Sequence, residues 1–130
     1  MLRLLMVEDQ EADAELTLRA LRGGGLEFVW ERVDTEQAFR EALRRTPDLI
    51  LSDGQVPGFG GRAALTIARA EVPQTPFIVL SGSTWDQGAQ EVIAAGAADF
   101  VCKADLKALL PAIERALAAA KGGSPQSPGG

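Results

Sequence analysis

Five side chains in this sequence stand where they could share one reaction. Glu8 and Asp9 follow the apolar run Leu4-Leu5-Met6-Val7. Asp53 follows Leu49-Ile50-Leu51-Ser52 and precedes Gly54. Ser81 follows Phe77-Ile78-Val79-Leu80, and Lys103 follows Phe100-Val101-Cys102. Apolar runs this short read as buried strands, so each polar residue closes a strand at its carboxyl end, where open α/β sheets bind ligands. Three carboxylates gathered there repel one another and raise at least one pKa unless a cation sits among them. Mg²⁺ suits such a place, because it keeps several waters and needs only one or two carboxylates; Mn²⁺ accepts the same oxygen donors. An Asp beside such a cation can attack a phosphoryl group, while the cation and an ammonium neutralise the transferred oxygens. Singly, each residue is as readily a solvated strand-end acid or a capping Ser; the joint pattern is what points to chemistry.

The elements that must carry these residues alternate. Leu2 to Val7 reads as a strand buried on both faces. From Glu11 the period becomes helical, with Ala14, Leu18 and Leu21 on one face and Glu11, Asp13, Glu15 and Arg19 elsewhere. Gly23-Gly24-Gly25 stops that helix, and Leu26 to Val33 alternates as a more exposed strand. Asp34 with Gln37 reads as a capping box for a helix that turns Phe39, Ala42 and Leu43 inward and Arg40, Arg44 and Arg45 to solvent. Asp48 to Ser52 is the central strand. The loop from Asp53 to Gly61 holds four Gly and one Pro, a composition for tight turns or close approach to a ligand. A helix over 62–72, a strand over 77–80, a helix with Ala89, Val92 and Ile93 inward that stops at Gly96, and a strand over 99–102 follow. Ser83 or Thr84 is suited to cap the helix before Gly96. Pro111 cannot sit in a helix interior, so a separate turn is expected at 105–110, with the last helix starting near Pro111. Residues 1–120 form one domain, and 121–130, rich in Gly, Ser and Pro, reads as a flexible tail or linker. Five βα units in succession imply a parallel sheet with helices on both faces.

Composition excludes several classes. The 130 residues are 46% hydrophobic, enough for a packed core. A net charge of −5 leaves no basic surface for nucleic acid, and the apolar runs are far too short to span a membrane. The single Cys102 forms no internal disulfide and reads as a small core residue, which fits a reducing cytoplasm. There is no His, so a Ser-His-Asp triad, a His-based metal site and a phosphohistidine within this chain are all excluded.

The set Glu8-Asp9, Asp53, Pro57, Ser81 and Lys103, in this order over about a hundred residues, resembles the receiver domains of two-component response regulators. The likeness runs from Leu2 to Ala120. It implies a flavodoxin-like (βα)₅ fold with strand order 2-1-3-4-5 and its switch point beside Glu8, Asp9 and Asp53. It implies that Asp53 accepts a phosphoryl group from a partner histidine kinase or phosphotransfer protein. It further implies that Asp9, Asp53 and the Gln55 carbonyl ligate Mg²⁺ with Glu8 acting through water, and that Ser81 and Lys103 contact the phosphoryl oxygens. Phe100 takes the aromatic switch position. Trp85, just after the Ser81 loop, reads either as partial packing on its own helix or as a contact for a downstream partner, since Trp favours interface anchors. The output passes to such a partner or to a fused effector domain, and the domain itself is no enzyme beyond its own phosphorylation and slow dephosphorylation.

Departures from the family pattern are informative. Lys103-Ala104-Asp105-Leu106 has the Lys-x-x-Leu form of a subset of receivers, where Lys-Pro is usual. Phe100 replaces a frequent Tyr, and Gly60 replaces an acid. Two other readings remain: a degenerate receiver used only to bind proteins, and a haloacid-dehalogenase phosphatase. The first is opposed by the complete set of acids. The second needs an acid two residues after its nucleophile, where this chain has Gln55.

Overall fold

The structure is a computed structural model and describes residues 1–54, 59, 61–82 and 87–122. Five strands, β1 (Leu2–Val7), β2 (Phe28–Val33), β3 (Leu49–Asp53), β4 (Phe77–Ser81) and β5 (Asp99–Cys102), form one parallel sheet in the order β2-β1-β3-β4-β5. Helices α1 (Glu11–Gly23), α2 (Glu36–Leu43), α3 (Gly61–Glu71), α4 (Gln87–Ala94) and α5 (Leu109–Gly122) connect and follow them. This is the expected doubly wound architecture, with β3 in the centre.

Two cores arise from the alternation of side chains along each strand. Leu5, Val7, Ile50, Phe77 and Val79 point to one face and meet Phe39, Ala42 and Leu43 of α2, Ala64, Leu65 and Ala68 of α3, and Val92 of α4. The intervening residues Leu4, Met6, Leu49, Leu51, Ile78, Leu80 and Val101 point to the other and meet Leu18 and Leu21 of α1 and Leu109, Ala112 and Ile113 of α5. Central strands covered on both sides must be apolar at every position, which is why they read as continuous runs. The edge strand β2 is the more exposed strand expected, but Val29 and Trp30 are both exposed, so burial along it does not follow the alternation that grouped Trp30 with Leu26 and Phe28.

Several local expectations are corrected, while the stop at Gly96 and the separate turn before the last helix are as expected. The N-cap of α2 is Thr35, not Asp34: its hydroxyl accepts from the Ala38 N–H at 3.2 Å, while Gln37 donates to Glu41. The helix begins one residue later than the capping-box spacing supposed. β2 starts at Phe28, not Leu26, because the Leu26 N–H closes α1 on the Leu21 carbonyl after Gly25 turns with φ +87°. Helix α3 runs from Gly61, one residue early, and Gly96 stops the α4 turn with φ +116°. A 3₁₀ turn at Leu106–Ala108 precedes α5, and Pro111 is the third residue of that helix, inside the first turn, where a backbone N–H has no intrahelical partner to lose. α5 continues two residues past Ala120, to Gly122. Cys102 is half-buried rather than a core residue, since it closes the edge strand β5. Arg40 and Arg45 are exposed but paired, Arg40 with Glu36 and Glu71, Arg45 with Glu31.

Phe59 lies in the loop that leaves Asp53 and is buried to 3% exposure, its ring 5.4 Å from that of Phe39 at 53°. It anchors that loop in the core beside α2. Truncation as Phe59→Ala should therefore lower the unfolding free energy by about 3–5 kcal/mol, measured by urea denaturation.

Candidate functional site

The parallel register brings the polar strand ends together. Val7 pairs with Ser52, Asp53 with Leu80 and Ser81 with Cys102, so Glu8 and Asp53 leave the sheet at one level, with Ser81 one residue and Lys103 two residues beyond it at the same end. Backbone bonds extend the pairing to the site itself: the N–H groups of Glu8, Gly54 and Lys103 donate to the carbonyls of Val33 (3.0 Å), Leu80 (2.9 Å) and Ser81 (2.7 Å). The close approach in the acceptor loop falls at Gly61. A Cβ there would stand 3.2 Å from the Gly54 Cα and 3.4 Å from the Asp53 carbonyl oxygen, whereas a Cβ at Gly54 would make only ordinary contacts. The start of α3 thus packs against the backbone of Asp53 and Gly54.

Carboxylate oxygens of Glu8, Asp9 and Asp53 lie within 4.8 Å of one another. Glu8 is buried, Asp9 and Asp53 partly so. The charge is met from within the fold. Lys103 Nζ donates to Glu8 Oε1 at 2.9 Å and to Asp13 Oδ2 at 3.0 Å, and it lies 3.3 Å from Asp53 Oδ2. The Gln10 N–H adds a bond to Glu8 Oε2 at 3.1 Å, and Gln10 Nε2 donates to Asp9. Burial raises the Glu8 pKa; the hydrogen bonds from Lys103 and Gln10 oppose that, and the Asp53 charge adds to it. For Lys103, burial pulls the ammonium down, but hydrogen bonds to Glu8 and Asp13 and the charges of Glu8 and Asp53 outweigh it and hold the pKa well above its ordinary value.

Of the residues singled out in the sequence, Glu8, Asp9, Asp53 and Lys103 converge. Ser81 is half-buried, its Cβ 4.0 Å from where a Gly54 Cβ would be. Phe100 is partly buried and packs on the α2–α3–α4 core. Gln55, Trp85 and the capping candidates Ser83 and Thr84 lie outside the described residues. Two participants were not foreseen. Asp13 was read as part of the solvated side of α1; its position one turn beyond Asp9 was the available signal. Arg32, at the end of β2, donates to the Glu8 carbonyl at 3.0 Å and pairs with Glu11 at 3.2 Å. Leu106, the last residue of the Lys-x-x-Leu segment, packs against the α1–α5 core.

The sequence matches the response regulator receiver domain family over residues 4–114. The chain belongs to that family. Among curated relatives, the receiver domain is 36% identical over 117 residues to a protein-glutamate methylesterase/protein-glutamine glutaminase of Anaeromyxobacter dehalogenans, covering 89% of this chain and 33% of that protein. It is 33% identical over 115 residues to the response regulator protein FleR of Pseudomonas aeruginosa, covering 87% of this chain and 24% of the relative. The chain therefore spans only about a quarter to a third of these two relatives. The signal receiver domain of a Luxo repressor protein from Vibrio parahaemolyticus superposes with a TM-score of 0.80 at 26% identity and 92% coverage of both chains. A LuxR-family two-component response regulator from Aurantimonas gives a TM-score of 0.78 at 28% identity, covering 90% of this chain and 85% of that one. Among the described residues of the receiver domain, no helix is long and apolar enough to cross a membrane.

The raised Lys103 pKa has a measurable consequence. Above the ordinary ammonium value of 10.5 the unfolded chain loses the Lys103 proton while the folded chain keeps it. The native state then binds more protons, so stability falls as pH rises past that value. Urea unfolding between about pH 9 and about pH 11.5 should show a decline that is shallower in Lys103→Met.

Proposed function

We propose that this receiver domain accepts a phosphoryl group on Asp53 and passes the signal on by a change of conformation. The observation that carries this reading is the convergence of Glu8, Asp9, Asp53 and Lys103 at the carboxyl end of the sheet. A carboxylate oxygen of Asp53 attacks phosphorus, the bond from phosphorus to the donor's imidazole nitrogen breaks, and that nitrogen takes up a proton. Residues 1–130 contain no His, so the donor His lies outside them, on a histidine kinase or phosphotransfer protein. Lys103 supplies an ammonium to the transferred oxygens, and the Ser81 hydroxyl donates to them from β4.

The donor set suits a hard divalent cation: three clustered carboxylates offer only oxygen, and one of them is buried with a raised pKa. Asp9 and Asp53 would hold Mg²⁺ or Mn²⁺ together with the Gln55 carbonyl, and Glu8 through water. When bound, the cation neutralises charge on the phosphoryl oxygens. Residues 1–120 act as the signalling unit, and 121–130 link it to an effector domain or leave the output to a separate partner. That partner reads the α4–β5–α5 face, and Trp85 is a proposed contact for it. The acidic balance opposes direct nucleic-acid binding. The free Cys102 and the need for a kinase are consistent with the cytoplasm.

Incubation with Mg²⁺ and a small phosphodonor, followed by intact mass measurement, should add one phosphoryl group to the parent. Asp53→Asn should abolish that addition; modification of the variant at the parent's rate would move the acceptor elsewhere.

The switch follows from the neighbours of Asp53. A phosphoryl group brings new acceptor oxygens, so the Ser81 hydroxyl turns toward it. Phe100, now only partly buried, then turns inward under α4. Burying the ring contributes about 1.5–3 kcal/mol, enough to shift a two-state population about tenfold to a hundredfold. Crystals or NMR spectra with beryllofluoride should show both side chains in new rotamers; unchanged rotamers at full Asp53 occupancy would assign the output to another face.

A further inference from the structure

The Lys103 ammonium carries three N–H groups and is surrounded by three carboxylates, Glu8 at 2.9 Å, Asp13 at 3.0 Å and Asp53 at 3.3 Å. Two of these acids belong to the cluster whose oxygens lie within 4.8 Å of one another; among the described residues, Asp13 is not part of that cluster. Asp13 touches the cation of the resting site without belonging to the set that would ligate a metal. We propose that Asp13 is a positioning residue that holds Lys103 while a divalent cation occupies Glu8, Asp9 and Asp53. The proposal rests on the reading of that cluster as a Mg²⁺ site.

The conflict it resolves is electrostatic. A dication entering the cluster needs the lone pairs that Glu8 and Asp53 now give to the ammonium, and it repels that ammonium twice as strongly as a single charge would. The Lys stem is flexible, and its head follows the nearest remaining anion. Asp13 is already in contact and stands on the first turn of α1. Its side chain is 42% exposed, against 4% for Glu8, so it gives the ammonium a foothold toward water. Without that carboxylate, the acids paired with the ammonium among the described residues are those of the cluster, and it competes with the metal for them. Asp13 thus acts on the metal through Lys103.

A double-mutant cycle separates this from a mere loss of negative charge nearby. Mg²⁺ is titrated at about 0.15 M salt, where charges farther apart than about 8 Å are largely screened. Amide ¹H–¹⁵N shifts follow binding to the parent, Asp13→Asn, Lys103→Met and the double variant. Asp13→Asn should weaken binding in both backgrounds, and by about fivefold more where Lys103 is present. Asp13→Glu should restore most of the affinity, and parent-like amide dispersion shows that each variant is folded. Equal losses in the two backgrounds, no loss in the Lys103 background, or an Asp13→Glu chain that binds no better than Asp13→Asn would overturn the proposal. A parent that binds no Mg²⁺ overturns the metal reading itself, and the proposal with it.

Discussion

The structure depends on one ammonium among carboxylates. The carboxyl ends of β1 and β3 bring Glu8, Asp9 and Asp53 within 4.8 Å, and Glu8 is buried. An isolated buried charge costs far more than a folded domain's margin of stability allows. Lys103, arriving from the end of β5, meets Glu8 and Asp53 directly, so the site is compensated before any ligand arrives. Such pairs seldom add much net stability, because desolvation offsets the attraction, but losing one partner is costly.

That balance exists only because the sheet delivers each group to one place. Period-two alternation buries successive residues of β1, β3 and β4 on opposite faces, against α2, α3 and α4 or against α1 and α5. A slip of one residue in any of these strands would exchange the two faces and carry its polar end out of the cluster. Backbone bonds from Glu8, Gly54 and Lys103 continue the ladder into the site, so the reacting groups sit on anchored main chain. At α3, Gly61 lets helix backbone pack on Asp53 and Gly54, and Phe59 just before it is buried against Phe39. The exposed ion pairs elsewhere, such as Arg62 with Glu91, contribute little by comparison.

The resting arrangement also bears on the switch. Ser81 lies on β4, next to the strand that carries Asp53, and Phe100 lies one strand farther, on β5, where it packs on the core face that α4 helps to cover. β4 thus stands between the charge at the sheet end and a ring that is only partly packed. The proposed coupling needs two packings of similar free energy, and the partly buried Phe100 on the edge strand is where a second packing is available.

What the sequence determined by itself were the features set by local periodicity and by residue type. Continuous apolar runs marked the central strands, the alternation of Leu26 to Val33 marked an edge strand, and Pro111 marked the start of the last helix. The polar residues ending those runs, with the family likeness they carried, pointed to the site and the strand order. Only the tertiary structure decided which neighbours those groups meet. Thr35 rather than Asp34 caps α2, Cys102 is half-exposed at an edge, and Asp13 faces Lys103 across a separation of 90 residues. Periodicity tells which side of a helix leaves its own core. It carries no information on what a distant strand end places against that side, because such a contact is fixed by packing angles and register between elements rather than by the pattern within one.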